Sequence, residues 1–259
     1  MSIPLPAATV LLARDSADGP EVYLVRRSKS VRFMGGVYVF PGGKVDAEDA
    51  DPDVLAALQG ADDAEEVLGL AAPQAAAHLV AAIRETLEEA GLLLGTGDAT
   101  SARAALAEQS FPEVLRTHGL TLDGRALRYW SHWITPPVEP RRFSARFFAA
   151  RAPFGQSAAI DVGELTEGAW FTPREAIARY YANELDLAPP TLFTLAEVQA
   201  LPDVDAILAA APHRPVVPYA PELAAGPSLV LAGDPLHPTA PGDTLRRFAL
   251  REGRWHREF

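Results

Sequence analysis

The chain has 259 residues, 48% hydrophobic and 22% charged, which suits one large globular domain with an appendage. A net charge of −11 argues against a general nucleic-acid binder, and the absence of cysteine excludes disulfides and thiolate chemistry. No apolar run reaches the ~20 residues of a membrane span, and "MSIPLPAATV" lacks the pattern of a secretion signal, so a cytoplasmic location is expected.

From the N-terminus, "AATVLLAR" and "EVYLVRRS" are β-rich runs around the turn-like "DSADGP" and predict a hairpin. "GGVYVFPGG" predicts a short strand between glycine pairs. The acidic stretch that follows, about 47–73, predicts a partly helical surface insertion. A helix is predicted from about Gln74 to Ala90, stopped by Gly91. "SARAALAEQSFPEVLRTHG" carries a second, weaker helical pattern. "ALRYWSHWITP" and "RRFSARFFAARA" are rich in aromatic and branched residues and predict paired strands. "GAWFTPREAIARYYANEL" predicts strand, turn and helix, with Thr172 as N-cap, Pro173 at N1 and Glu175 at N3. A further helix from about Leu192 to Ala200 leads into a proline-punctuated tail ending in the β-like "SLVLAGD" and "TLRRFALREGRWHREF". Strands and helices in this mixed order predict an α/β or α+β sandwich.

The chemistry concentrates in "RETLEEAG", Arg84 to Gly91. At about 100° per residue, Glu85, Glu88 and Glu89 share one helix face, opposite the apolar stripe of Leu79, Val80, Ile83, Leu87 and Ala90. As a stability device the cluster is poor. Glu85 and Glu89 repel at i,i+4, and negative charge near a helix C-terminus opposes the macrodipole. Broken local rules of this kind point to a functional site. Upstream, Gly42 and Gly43 of "FPGGKV" permit close backbone approach and offer carbonyl oxygens. Carboxylates and carbonyls together form a hard oxygen shell suited to Mg²⁺ or Mn²⁺. Arg84 could orient one of the carboxylates through a charge-assisted hydrogen bond.

"GG" followed by "RETLEEAGL" resembles the Nudix hydrolase signature, which implies an α/β/α sandwich with a mixed sheet and a metal-dependent diphosphatase. The resemblance implies Glu85, Glu88 and Glu89 as metal ligands, one of them doubling as base, with Arg84 orienting them and Gly43 giving its carbonyl. The signature is lengthened here by about 27 residues, an insertion cheap in loop-closure entropy. Its upstream acid is left open between Asp49, Glu48 and Asp46. "RRSKSVRFMGGVYVFPGG" resembles the motif of coenzyme A diphosphatases, implying Arg27 and Arg32, with Gly42 and Gly43, as substrate-binding. "RYWSHWITP", "RRFSARFF", "AWFTPREAI" and "LAPPTLFTL" resemble the acyl-coenzyme A diphosphatase branch, whose peroxisomal address "HREF" does not reproduce. Glu164 and Glu167 are candidates for a further catalytic acid, and Arg141 and Arg142 either reach phosphates or cap a hairpin. The expected domain runs over 1–190 with the extension at 191–259.

The expected activity is cleavage of coenzyme A or acyl-coenzyme A to 3′,5′-ADP and (acyl-)4′-phosphopantetheine. Two alternatives stand beside it: a diphosphatase for ADP-ribose, NADH or another nucleoside diphosphate derivative, and a non-catalytic nucleotide sensor. The expected partner is a small nucleoside diphosphate substrate, without nucleic acid or membrane, and with a homodimer as one option for the assembly.

Overall fold

Apolar alternation through "AATVLLAR" makes β1 (Leu5–Ser16), which turns at Ala17 and Asp18 into β2 (Gly19–Arg27), giving the predicted hairpin. The computed structural model describes residues 2–29, 34–160, 165–213, 216–224 and 226–258. The glycine-flanked run gives β3 (Tyr38–Val39) and β4 (Gly42–Lys44). A 3₁₀ turn (Ala47–Ala50), α1 (Pro52–Ala56), β5 (Leu58–Gln59) and α2 (Ala64–Leu68) follow. The glutamate helix is α3 (Ala72–Ala90), ended by Gly91 in the left-handed conformation at φ 67°. After β6 (Gly95–Thr96), the second helical pattern divides into α4 (Ala99–Ala105) and α5 (Phe111–His118). The division falls where Ser110 and Glu113 form a capping box around Pro112, which starts a new helix.

β7 (Thr121–Asp123), β8 (Arg128–Ile134), β9 (Phe143–Arg151) and β10 (Leu165–Phe171) come next. Thr172 caps α6 (Pro173–Tyr181) as expected, its hydroxyl accepting from the Glu175 amide at 3.2 Å. α7 (Pro189–Val198) and α8 (Val204–Ala210) lead to β11 (Glu222–Leu223), β12 (Ser228–Val230), β13 (Arg247–Arg251) and β14 (Arg254–Glu258).

The main sheet is mixed, in the order β10-β2-β1-β9-β8, with β3 on β2 and β4 on β1. β1 pairs with β9 in parallel from Leu5↔Phe143 to Ala13↔Arg151; its neighbours β2 and β4 are antiparallel to it. Alternation sorts the strand side chains to two cores. Ala8, Val10, Leu12 and Phe148 meet Val80, Ile83 and Leu87 of α3 on one face. Leu11, Leu24, Phe147 and Phe171 meet Ala176, Leu192 and Ile207 of α6, α7 and α8 on the other. The sheet between helical layers is the expected α/β/α sandwich.

Two expectations of domain organisation change. The insertion is not a surface excursion, because Val54 and Leu68 are buried in the α3-side core. β5 also pairs with β7 in a small sheet completed by β6, fastening the insertion to the chain beyond α3. The tail, for its part, shares the second core: Phe248 of β13 is buried against Trp133 and Phe193, with ring centroids 6.2 and 6.1 Å away.

Candidate active site

Helix α3 carries its glutamates against β4, and the contact demands glycine. A Cβ on Gly43 would overlap the Glu85 carboxylate, and one on Gly42 would overlap the Ala8 carbonyl and Thr9. The Gly42 amide donates to Glu89 Oε2 at 2.9 Å. Glu85 and Glu88 turn instead to Arg84, whose Nη1 donates to Glu85 Oε1 at 2.9 Å and Glu88 Oε2 at 3.1 Å. The glutamate face that helical spacing would send to solvent is therefore partly covered by the β4 loop, with Glu85, Glu88 and Glu89 half-buried.

Arg84 is the hub. Its Nε and Nη2 hold the two oxygens of Asp49 at 2.8 and 3.0 Å, a bidentate pair, and Nη2 also donates to the Lys44 carbonyl at 2.9 Å. Asp49 has no exposed surface and also accepts from the Asp46 amide at 2.7 Å. Among the three acids that the sequence left open, Asp49 is the bidentate partner of Arg84, and Asp46 stands 3.7 Å from its Nη2. Burial works against the Arg84 charge, but Asp49, Glu85 and Glu88 outweigh it and raise its pKa.

Burial, with Glu88 nearby, pushes Glu85 up to about 7 despite Arg84. Burial and the neighbouring Glu85 push Glu89 up to about 8. Glu88 is raised for the same first reason. Negative charge at this face is thus under-compensated, and the donors are hard oxygens, a set that fits a divalent cation. Among the described residues no three such side chains yet converge on one point, since Arg84 takes two of the carboxylates and Gly42 the third.

The remaining sequence candidates separate. Arg26 and Arg27 point to opposite faces, as adjacent strand residues must. The Arg27 charge acts on Glu89, and among the described residues its buried Nε has no hydrogen-bond partner. Arg26 turns to the Gly36 carbonyl (3.3 Å) and the Tyr38 ring. Glu167 pairs with Arg26 at 3.7 Å and hydrogen-bonds Tyr38, whose pKa burial and that bond push up to about 12. The β10–β2 register sets Glu167 opposite Arg26, so it is not brought to the three helix glutamates. Arg142 caps the β8–β9 hairpin, donating to the Thr135 and Ser2 carbonyls at 2.9 Å each, and Arg141 lies over the Phe143 ring. Arg32 and Glu164 lie outside the described residues.

Sequence reasoning missed Arg103. From α4 its Nε donates to the Glu88 carbonyl at 3.1 Å, placing a cation at the C-terminal end of α3. An arginine in a weak helical pattern gave no signal of that contact.

The chain that carries this helix, its buried aspartate and its glycine strand is similar to known proteins. An acyl-coenzyme A diphosphatase NUDT19 of Gallus gallus is 29% identical, over 73% of this chain and 66% of that protein. Its Xenopus laevis namesake is 23% identical, over 92% of this chain and 80% of that protein. The chain thus spans about two thirds of the chicken protein's length and more of the frog protein's. A crystal structure of a NUDIX hydrolase from Alicyclobacillus acidocaldarius superposes with a TM-score of 0.68 at 28% identity, covering 81% of this chain and 97% of that one. The family model described as the NUDT19 Nudix domain matches residues 57–198, more than half of the chain and all of α3. With the fold, the helix and that match in agreement, this chain belongs to the NUDT19 Nudix family of hydrolases.

Proposed function

We propose that the chain hydrolyses the diphosphate bond of coenzyme A or an acyl-coenzyme A. Water adds to one phosphorus, the bridging P–O bond breaks, and the products are 3′,5′-ADP and (acyl-)4′-phosphopantetheine. The observation that carries this reading is the half-buried glutamate face of α3, laid against Gly42 and Gly43 and anchored by Arg84 to Asp49. The similarity to the chicken and frog acyl-coenzyme A diphosphatases favours the acyl-coenzyme A class among nucleoside diphosphate derivatives.

Glu85, Glu88 and Glu89, with the Gly43 carbonyl, are the residues that would hold Mg²⁺ or Mn²⁺. Such an ion, when bound, neutralises phosphate oxygens and activates water. The chain's own residues do the rest. Arg84 fixes the rotamers of Glu85 and Glu88, and Asp49 fixes Arg84, so the carboxylates stay in place without substrate. Gly42 and Gly43 let the Glu85 carboxylate and the β1 backbone come close to β4, where any side chain would overlap them. Arg27, beside Glu89 and with a donor unspent, contributes positive charge for the diphosphate.

The test is mass-spectrometric identification of products from coenzyme A, ADP-ribose and NADH in turn, with Mg²⁺ or Mn²⁺ supplied. Coenzyme A should be cleaved to 3′,5′-ADP, and Glu88→Gln or Glu89→Gln should lower kcat/KM by roughly 10²–10³-fold while the protein stays folded. Preferred cleavage of ADP-ribose or NADH would move the assignment to that substrate. Binding without turnover of any of the three would make the domain a sensor.

A further inference from the structure

Arg146 on β9 stands apart from the charges described so far. Its side chain is buried, and among the described residues no carboxylate lies within ion-pair distance of it. Its contacts are long: Nη2 donates to the Leu68 carbonyl at 3.3 Å, and Nη1 lies 3.5 Å from His78 Nε2. The His78 Nδ1 lies 2.7 Å from the Gln74 carbonyl and so donates, which leaves Nε2 with the lone pair and the ring neutral. His132, opposite Arg146 in the β8–β9 register, is engaged with the Ser144 hydroxyl at 2.8 Å. Burial and the Arg146 charge push His132 down to about 4. Neither imidazole supplies a counter-charge. A buried cation without one is a cost to folding, and an apolar replacement is often as stable or more so.

Arg146, His78 and Ser144 line a recess of about 390 Å³ whose other walls include Pro6, Val45 and Leu70. Small-molecule sites span about 300–1,000 Å³, so this one has room for part of a nucleotide. Its wall includes Asp46, a half-exposed carboxylate 3.5 Å from Lys44 Nζ and 3.7 Å from Arg84 Nη2. The recess therefore reaches Asp46, which Arg84 also approaches, and among the described residues no carboxylate pairs with the Arg146 cation in its wall.

We propose that this recess is a second anion subsite that takes a phosphomonoester of the substrate, remote from the scissile diphosphate, with Arg146 as counter-charge. The proposal rests on the coenzyme A reading above, since the 3′-phosphate of coenzyme A is such a group. Arg27, beside Glu89, serves the diphosphate and leaves the distant phosphate to Arg146. The insertion gains a role as well, because Leu70 walls the recess and the Leu68 carbonyl holds the guanidinium.

Calorimetric binding of adenosine 3′,5′-bisphosphate and adenosine 5′-monophosphate tests this on the full chain. Wild type should bind the bisphosphate tighter by roughly tenfold to a hundredfold, the size of one charge-assisted contact. Arg146→Met keeps length and removes charge, so it should erase the preference without lowering Tm. Gln74→Glu adds a negative charge at an exposed residue of the recess wall and should shrink the preference severalfold. Equal affinities in wild type, or a preference that survives in folded Arg146→Met, would overturn the subsite and leave the diphosphatase reading standing. Should Arg146→Met fail to fold, an unchanged preference in Gln74→Glu would overturn it. Titration with inorganic phosphate separates the two readings. Phosphate binding that Arg146→Met abolishes, in a chain that binds neither nucleotide, would keep the anion site and sink the coenzyme A assignment.

Discussion

Asp49 carries its charge with no exposed surface, and what makes this tenable is the bidentate pair with Arg84 and the Asp46 amide. The same arginine reaches forward to Glu85 and Glu88, so the buried aspartate and the glutamate face share one support. Removing one member of a buried pair strands the other. Asp49→Ala should therefore cost about 3–5 kcal/mol in a denaturant titration. Asp49→Asn, which keeps one acceptor, should cost less than that. Both should lower kcat more than they raise KM, because the glutamates lose their fixed rotamers while the residues proposed to bind substrate are untouched. Unchanged kcat in a folded Asp49→Ala would show that Arg84 needs no second support. At this scale the sequence was legible for the glutamates, whose adverse spacing stood out. It was less legible for Asp49, since only the folded chain brings residues 49 and 84 together.

At the scale of elements, α3 stores an electrostatic cost with a definite pH dependence. Glu85 and Glu89 keep their protons up to about 7 and about 8 in the fold, against 4.5 in the unfolded chain. A carboxyl whose folded pKa is raised contributes stability that is present below pH 4.5 and lost as pH rises through the folded value. Metal-free protein should thus lose stability between pH 5 and pH 8, by an amount on the order of a few kcal/mol. The Glu85→Gln, Glu89→Gln double variant should flatten that slope, and a divalent cation should restore stability at pH 8. A flat profile in metal-free wild type would mean that the helix face is already compensated. The insertion bears a different prediction. Replacing Glu48–Leu70 by a short flexible linker removes the buried side chains of Asp49, Val54, Ala64 and Leu68. Each buried aliphatic is worth about 2–5 kcal/mol, a large part of a typical 5–15 kcal/mol total. Circular dichroism should therefore show an unfolded or molten chain. The sequence concealed this because acidic residues are interspersed through the insertion, and its alanine and aliphatic residues are spaced too irregularly to announce a core face. The hairpin, the paired strands β8 and β9 and the cap at Thr172 were legible because alternation and capping chemistry are local.

At the scale of the molecule, the C-terminal tail belongs to the fold it was expected to decorate. Phe248, Trp133, Phe193 and Tyr219 form one aromatic group, with Trp133 and Tyr219 stacked at 4.7 Å and Phe193 and Tyr219 at 5.0 Å. Phe248→Ala should cost about 3–5 kcal/mol, and thermal unfolding should remain a single transition rather than lose the tail first. Two separated transitions would make the tail a unit of its own. Proline punctuation hid this shared core, because it breaks the periodicity from which burial is read.

The parallel pairing of β1 with β9 joins the start of the chain to its second half. Hairpins such as β1–β2 close in about 1–10 μs, but the other side of β1 must wait until α3, the insertion and β8–β9 have been made. Until then "TVLLA" presents an open, apolar strand edge, of the kind that pairs with other chains. The speed of folding is therefore set by this long-range closure rather than by any helix. Soluble yield should respond first to conditions that slow synthesis or shield that edge, such as lower temperature or a chaperone that binds extended apolar segments.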